Sequence, residues 1–404
     1  MLETVRQYAA RQLQALGPAV TDAARIAHRD HYLALAEAAA PQLVAHDQAQ
    51  WLDRLDAELG NLRVAIAFSL TQANPAPGLR LAASLRRFWK VRGHATEAVD
   101  ALRALLEVPA APEASLPRAQ ALACAACLLE QAGSYAAAEE YCDEALAIAR
   151  DADDEYLIAD LLEILGFVLL RQGQHGAGRS LIEEALDLAR RLQDPHLTGR
   201  LLSDRSYARD LKGDHAGAAR DVAESLRLFR PAGDELQVGT LLGNLGNTEL
   251  SAGDLDSARR HLLESLDIAR ALNDQFGVAY QTFNLGLAEY LSGLLGAAEG
   301  HFAEALDLSR RMGMKVPVAY SLIGLAMTGR GEADMGRSAR LHGAADQALA
   351  ALGHTIEPLE GRLRDLDCER LRSAMGAEAF EAEYAAGHAL TSEQVIDLAL
   401  AERT

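Results

Sequence analysis

Along the middle of the chain, apolar and small residues recur every three or four positions in blocks of about four helical turns. The blocks are punctuated at a fixed interval. Gly133, Gly173, Gly213, Gly253 and Gly293 are forty residues apart. Five positions after each stands a small residue: Ala138, Gly178, Ala218, Ala258 and Ala298. Glu follows at the eleventh position (Glu144 to Glu304), Leu at the thirteenth (Leu146 to Leu306) and Arg at the seventeenth (Arg150 to Arg310). Ile182, Ala185, Leu186 and Ala189 mark one face of a helix after the glycine, and Leu161, Leu162, Leu165, Val168 and Leu169 one before it. The repeating unit is therefore helix A, a tight turn at Gly, where positive φ is cheap, then helix B.

This register predicts A helices near 156–171, 196–211, 236–251 and 276–291, and B helices near 175–191, 215–230, 255–271 and 295–311. Asp154, Asp194, Asp234 and Asp274 stand between units, where Asp makes turns and N-caps. Pro195, Pro231 and Pro317 are expected in or beside the same loops, outside helix interiors. Gly93, Ala98, Leu102 and Leu106 form a degenerate earlier copy, interrupted by Pro109–Pro117.

Composition agrees. A chain of 404 residues exceeds one ordinary core, and the repeats account for the excess. Aromatics make up only 5%, and Ala and Leu supply most of the apolar half, which suits close-packed helices rather than a sandwich or barrel. The net charge of −19 argues against gripping a phosphate backbone. Residues 1–110 hold 12 basic and 11 acidic groups, so the acidity belongs to the rest of the chain. No apolar run approaches a membrane span, no signal peptide is visible, and four cysteines make no disulfide framework. The expected compartment is the reduced cytoplasm.

The columns resemble the tetratricopeptide repeat (TPR), in Leu245-Gly246, Gly253, Ala258, Leu262 and Ser265-Leu266, and again in Leu285-Gly286, Gly293, Ala298, Phe302 and Ala305-Leu306. Two features depart from that motif: the period is forty rather than thirty-four, and an Arg column replaces the closing Pro. The segment Met1 to Ala9 resembles the last helix of the winged-helix part of bacterial signal-transduction ATPase regulators. His31–Glu37 and Trp51–Arg63 resemble their linking helices, and Leu341–Ala345 through Phe380, Gly387 and Leu390-Thr391 to Leu398 their closing helices. No G-x-x-x-x-G-K-[ST] loop occurs. The resemblance implies an all-α, right-handed TPR-like solenoid that forms the sensor arm of such a regulator without its NTPase or DNA reader. The expected organisation is linking helices over 1–75, degenerate repeats and a loop over 76–131, a regular array over 117–311 and closing helices over 312–404.

In such a solenoid the A helices line a concave groove and residues forty apart lie side by side. The inward row runs Asp160, Glu163, Phe167; Arg200, Asp204, Tyr207; Thr240, Asn244, Asn247; Tyr280, Asn284, Leu287. Asn and Tyr there suit peptide backbone or sugar hydroxyls. The plainer alternative is a solvated face with Arg200–Asp204 as an i,i+4 pair worth about 0.3 kcal/mol. A carboxylate clamp is discounted, because Lys90, Lys212 and Lys315 are the only lysines and none belongs to that row.

Cys124-Ala-Ala-Cys127, with Cys142 nearby, lacks further ligands at metal spacing and is expected to be buried apolar surface. His28 and His31 likewise lack partners for a metal. Arg86, Arg87, Lys90 and Arg92 form one basic cluster, read as a solvated helix face or a dock for an acidic domain. No catalytic constellation, metal site or cofactor site stands out. The expected partners are a protein or peptide, an NTPase and winged helix in the same polypeptide, or a small inducer, with neither nucleic acid nor membrane bound directly. The competing expectation is a free-standing adaptor for other proteins.

Overall fold

The computed structural model describes residues 3–108, 115–329 and 332–401. Met1, most of the Pro109–Pro117 interruption and the last three residues lie outside the described residues. Every element among the described residues is a helix or a turn. Six helices precede the array: α1 (Glu3–Ala15), α2 (Pro18–Gln42), α3 (Gln48–Ser69), α4 (Ala76–Ser84), α5 (Arg86–Val91) and α6 (Ala95–Leu106). The repeats follow as A/B pairs: α7 (Leu116–Gln131) with α8 (Tyr135–Asp151), α9 (Glu155–Arg171) with α10 (His175–Arg191), and α11 (Pro195–Asp210) with α12 (His215–Ala232). Two more pairs are α13 (Glu235–Ala252) with α14 (Leu255–Ala271) and α15 (Gln275–Leu291) with α16 (Leu295–Arg311). The chain ends in α17 (Lys315–Met327), α18 (Glu332–Leu352), α19 (Pro358–Met375), α20 (Ala377–His388) and α21 (Ser392–Leu400).

The turn glycines adopt the left-handed conformation anticipated for them, with φ of 74° at Gly133, 79° at Gly173, 77° at Gly213, 84° at Gly253 and 77° at Gly293. Asp154, Asp194 and Asp234 cap α9, α11 and α13 by accepting from the backbone N–H three residues on. A second forty-residue column is conformational rather than chemical. Asp153, Gln193, Gly233, Asn273 and Gly313 all have positive φ between units. Three are not glycine, so no residue pattern announced them.

Proline placement differs at two positions. Pro231 lies inside α12 and Pro317 is the third residue of α17. Pro317 is tolerated because first-turn N–H groups have no intrahelical acceptor. Pro231 sits one residue from the C-terminus, where only the last turn loses a hydrogen bond.

Each A helix packs on its own B helix and on the neighbouring A helices, from α7–α9 through α15–α17. No B helix approaches the next B helix comparably. The A helices therefore line the inner side of the curve, as a TPR-like solenoid requires. The curvature brings late elements back onto early ones. Gly133 faces Val316 and Leu352, Gly173 faces Thr355, and Gly93 faces Met312.

Close A/B approach depends on missing side chains. A Cβ at Gly178 would lie 2.6 Å from the Gly166 carbonyl oxygen and 3.0 Å from Leu170 Cγ. Gly178→Ala is expected to cost about 1–3 kcal/mol by forcing α9 and α10 apart. Gly176→Ala, with open space around its Cβ, is expected to be neutral or slightly stabilising. Urea titration followed by circular dichroism checks the pair, and equal midpoints would refute this account of the A/B contact.

Candidate functional site

The basic cluster is not a solvated face. Helix α5 lies across the N-terminal parts of the A helices, inside the curve. Arg86 donates to both Asp160 carboxylate oxygens, at 2.5 and 2.9 Å. Arg87 pairs with Asp234, whose side chain is fully buried. Asp234 also accepts from Gln48 Nε2 at 3.1 Å, lies 3.0 Å from His196 Nε2, and caps Gln237 N at 3.2 Å. Arg92 reaches Asp53, Asp56 and the Leu272 carbonyl. Phe88 and Trp89 bury the other side of α5, with Trp89 Nε1 donating to Ala82 O at 2.9 Å. Burial by itself would raise the Asp234 carboxyl; the Arg87 guanidinium and the hydrogen bonds outweigh it and hold that carboxyl below its ordinary value.

The opposite ends of the A helices are crossed by the link between α18 and α19. Thr355 N donates to the carbonyl of Arg171, the last residue of α9, at 2.8 Å. Arg171 Nη1 donates to Glu357 Oε1 at 2.6 Å, and Tyr207 hydroxyl donates to the same oxygen at 3.1 Å. Arg171 also stacks over Phe167 and Tyr207. His354 is buried between two hydroxyls, Tyr135 at 2.8 Å from Nδ1 and Tyr320 at 3.1 Å from Nε2. Burial, then the Arg171 charge, pulls the His354 pKa down to about 3.

The concave row is thus a lumen with its two ends crossed by α5 and by the 353–357 strap. Within it, Arg200 pairs with Asp160 at 2.6 Å and with Glu163, both one repeat back, rather than with Asp204 one turn along. Asn244 Nδ2 donates to Ser203 Oγ at 3.2 Å, while Asn247 Oδ1 is buried without a partner. Thr240 is exposed and bonds its own helix through Leu236 O. Leu287 is fully buried in the core and lines nothing. Tyr280 and Asn284 make no hydrogen bond; Asn284 is buried and Tyr280 half-buried.

Two clefts lie elsewhere. A cleft of about 530 Å³ is bounded by Met335, Arg337, Arg340 and Glu383, but Arg337 already donates to Leu398 O and Ala399 O, and Arg340 pairs with Glu383. A 230 Å³ recess beside Trp89 and Ile66 is lined by apolar side chains and by the paired Arg63 and Glu97. Cys124 and Cys142 are buried, as read from their helical positions, and burial raises both thiols. Among the described residues no three His, Cys, Asp or Glu side chains converge as a metal set, and no helix is long and apolar enough to cross a membrane.

The forty-residue columns bring Asp160 and Glu163 against Arg200 and Phe167 against Tyr207, but carry no sign of what crosses the ends of the row. Arg171, Lys90, Glu130 and the strap residues His354 and Glu357 come from outside the repeat columns chosen. The only available hint was the basic run at 86–92 facing an acidic array.

This geometry is that of a TPR-like α-solenoid, and the chain carries tetratricopeptide repeats: residues 237–311 match the tetratricopeptide repeat family model. A 107-residue segment is 36% identical to a protein of Mycobacterium bovis named as a candidate HTH-type transcriptional regulator, and to counterparts in two Mycobacterium tuberculosis strains. That segment covers 26% of this chain and only 12% of the relative. Among solved structures, a Rap protein complexed with Competence and Sporulation Factor aligns over 93% of this chain and 97% of its own, with a TM-score of 0.62 at 13% identity. That likeness is one of fold. A signal transduction ATPase with a tetratricopeptide repeat sensor from Pyrococcus horikoshii aligns over 82% of this chain and 55% of its own, with a TM-score of 0.47 at 15% identity.

Two outcomes test the closures. Asp234→Ala strands the Arg87 charge and is expected to cost about 3–5 kcal/mol. In a Trp51→Phe background, Trp89 emission should then shift red at lower urea, with Asp234→Asn less affected. For His354, the folded pKa lies below the unfolded value of about 6.5. Its contribution is therefore complete above pH 6.5 and falls as pH drops toward 3, by about 1.4 kcal/mol per unit. Stability measured from pH 7 to 4 should decline less steeply in His354→Gln, and parallel curves would show that His354 stays unlinked to folding.

Proposed function

We propose that this chain is the non-catalytic regulatory arm of a bacterial ATPase-type transcriptional regulator. In this reading a small inducer or short peptide enters the lumen between α5 and the 353–357 strap. The carrying observation is the closure of both ends by the chain's own flanks. A lumen crossed by α5 and by the strap is poorly shaped for a folded protein but suits a ligand whose uptake displaces or tightens those flanks. A ligand that prefers one superhelical pitch would shift a two-state equilibrium, and α5 would transmit the change to domains on the N-terminal side. The resemblance of residues 1–9 to a winged helix, and the match to HTH-type regulators, support that placement.

The second reading is a free-standing adaptor. Its support is that the same architecture covers 97% of the Rap chain, which was solved with a bound factor. Sequencing the coding DNA on both sides separates the two readings. An in-frame NTPase and winged helix upstream is expected for the regulatory arm. A promoter and ribosome site at Met1 would overturn it in favour of the adaptor. In that case Tyr207, Asn247 and Tyr280, replaced together by Ala, should abolish retention of partner proteins in a pull-down. For the regulatory arm, small-angle scattering must change when ligand is added, and an unchanged profile would sink the pitch mechanism.

A further inference from the structure

The recess between α3 and α6 comes from one side chain missing in an otherwise continuous seam. Two columns of the register form that seam: the residue four before each turn glycine, on helix A, and the residue eight after it, on helix B. The helix-B column reads Tyr141, Leu181, Asp221, His261 and His301, a sizeable side chain in every regular copy. In three copies the two columns bond directly. Arg209 Nε lies 3.3 Å from Asp221 Oδ2, His261 Nδ1 2.7 Å from Glu249 Oε2, and His301 Nδ1 2.6 Å from Glu289 Oε2. In the degenerate copy at Gly93 the same register gives Trp89 and Ala101. A methyl group stands where the other copies carry a whole side chain, and both residues line the 230 Å³ recess.

The walls say what such a space would hold. Ile66, Ala82, Trp89 and Ala98 are buried and form its floor. Trp89 Nε1, the one polar atom of that ring, is already spent on Ala82 O at 2.9 Å. At the mouth Ala67 and Leu70 are exposed, and Arg63 and Glu97 close on each other through two bonds of 2.5 and 2.6 Å. Those paired charges cancel, so the mouth favours neither an anion nor a cation. Ordered water gains little against an apolar floor, because it needs two or more polar partners. An apolar cavity of about 150 Å³ takes up benzene; at the same filling this recess holds about nine non-hydrogen atoms.

We propose that this recess is a binding site for a small neutral aromatic molecule the size of one fused bicyclic ring. The ligand ring meets the Trp89 indole offset or edge-on, with Ile66 and Ala98 beside it. It takes the place that a side chain fills in the other copies. A carboxylate or ammonium on the ligand would have to break the Arg63–Glu97 pair or lie unpaired against Ala67 and Leu70. Trp89 is on the face of α5 turned away from Asp160 and Asp234, which hold Arg86 and Arg87. The site is therefore separate from the lumen, behind the helix that crosses its end, and it stands whether or not the lumen takes a ligand.

The test uses the full chain with Trp51→Phe, which leaves Trp89 as its one tryptophan. Iodobenzene, a heavy-atom quencher, is titrated while Trp89 emission is read, and benzofuran is then added as competitor. Saturable quenching at sub-millimolar iodobenzene is expected, reversed by benzofuran, with a rise in melting temperature for either probe. Ala101→Leu supplies the side chain that Leu181 carries in its own copy. It should weaken quenching about tenfold or more and leave the melting temperature equal or higher, because it fills the recess. Ala67→Leu, at an exposed wall position, should weaken quenching too, and it decides the matter if Ala101→Leu overpacks and lowers stability. Ala147→Leu, exposed on α8, is the control and should leave the titration unchanged. Quenching that rises linearly without saturation, or that is equal in the parent and the filled variants, overturns the proposal. Benzoate or benzylamine competing as well as benzofuran overturns the neutral class.

Discussion

The bonds between the α5 guanidiniums and carboxylates on or capping the A helices are what turn an open curved array into an enclosure. A stack of helical pairs holds itself together only between neighbours, so nothing in repeat packing closes its concave side. Here Arg86 and Arg87 reach Asp160 and Asp234 from 74 and 147 residues away. Asp234, fully buried, is held by an arginine, a histidine, a glutamine and a backbone amide at once. Such a group is costly to bury and far costlier to strand, because removing any one partner leaves the remaining charge without water. The N-terminal helices are thereby committed to one place. That commitment makes the inward row an interior instead of a face.

The electrostatic arrangement also explains an apparent conflict with helix dipoles. Basic side chains at the N-terminal ends of helices are disfavoured by the partial positive charge there. The chain resolves this with carboxylates between the two. Asp234 accepts from the first turn of α13 and from Arg87 together, while Asp160 sits in the second turn of α9 between Arg86 and Arg200. At the other end Arg171, the last residue of α9, is where a cation belongs. It is also the residue on which the strap converges.

Much of the fold was legible because repeats confess themselves through spacing. The observed B helices α10, α14 and α16 carry the expected limits, and the A helices fall within one residue of theirs. The turn column was readable because a glycine at every copy marks positive φ, whereas the matching column at Asp153, Gln193 and Asn273 was not, since its residue type changes from copy to copy. The site was legible only on the side built from repeats. Arg200 was assigned a local partner because i,i+4 pairs are visible in sequence. It chose carboxylates forty and thirty-seven residues back, which only the side-by-side register of A helices brings near. Leu287 shares a column with Tyr207 and Asn247 but is wholly buried, since α15 is packed against by α17 and by α5. Glu357 was out of reach for a simpler reason: its return contacts to Arg171 and Tyr207 span 186 and 150 residues and obey no local period.

The two closures differ in what can loosen them, and the difference bears on how a signal would leave the lumen in the proposed regulatory role. The α5 dock is a set of charge pairs around buried carboxylates, and it resists anything short of protonation or loss of a partner. The strap is lighter. Its contacts are one backbone hydrogen bond at Thr355, an ion pair and two tyrosine hydroxyl bonds at Glu357, and a histidine wedged between Tyr135 and Tyr320. Both closures nonetheless meet the same interior, because Arg171 stacks over Phe167 and Tyr207 of the inward row while it pairs with Glu357 of the strap, and Arg86 of α5 shares Asp160 with Arg200 of that row. In the proposed regulatory role, a ligand that moved Phe167 or Tyr207 would move the partner of Glu357 as well. By reciprocity, whatever holds the strap in one position would change affinity for that ligand by the same factor.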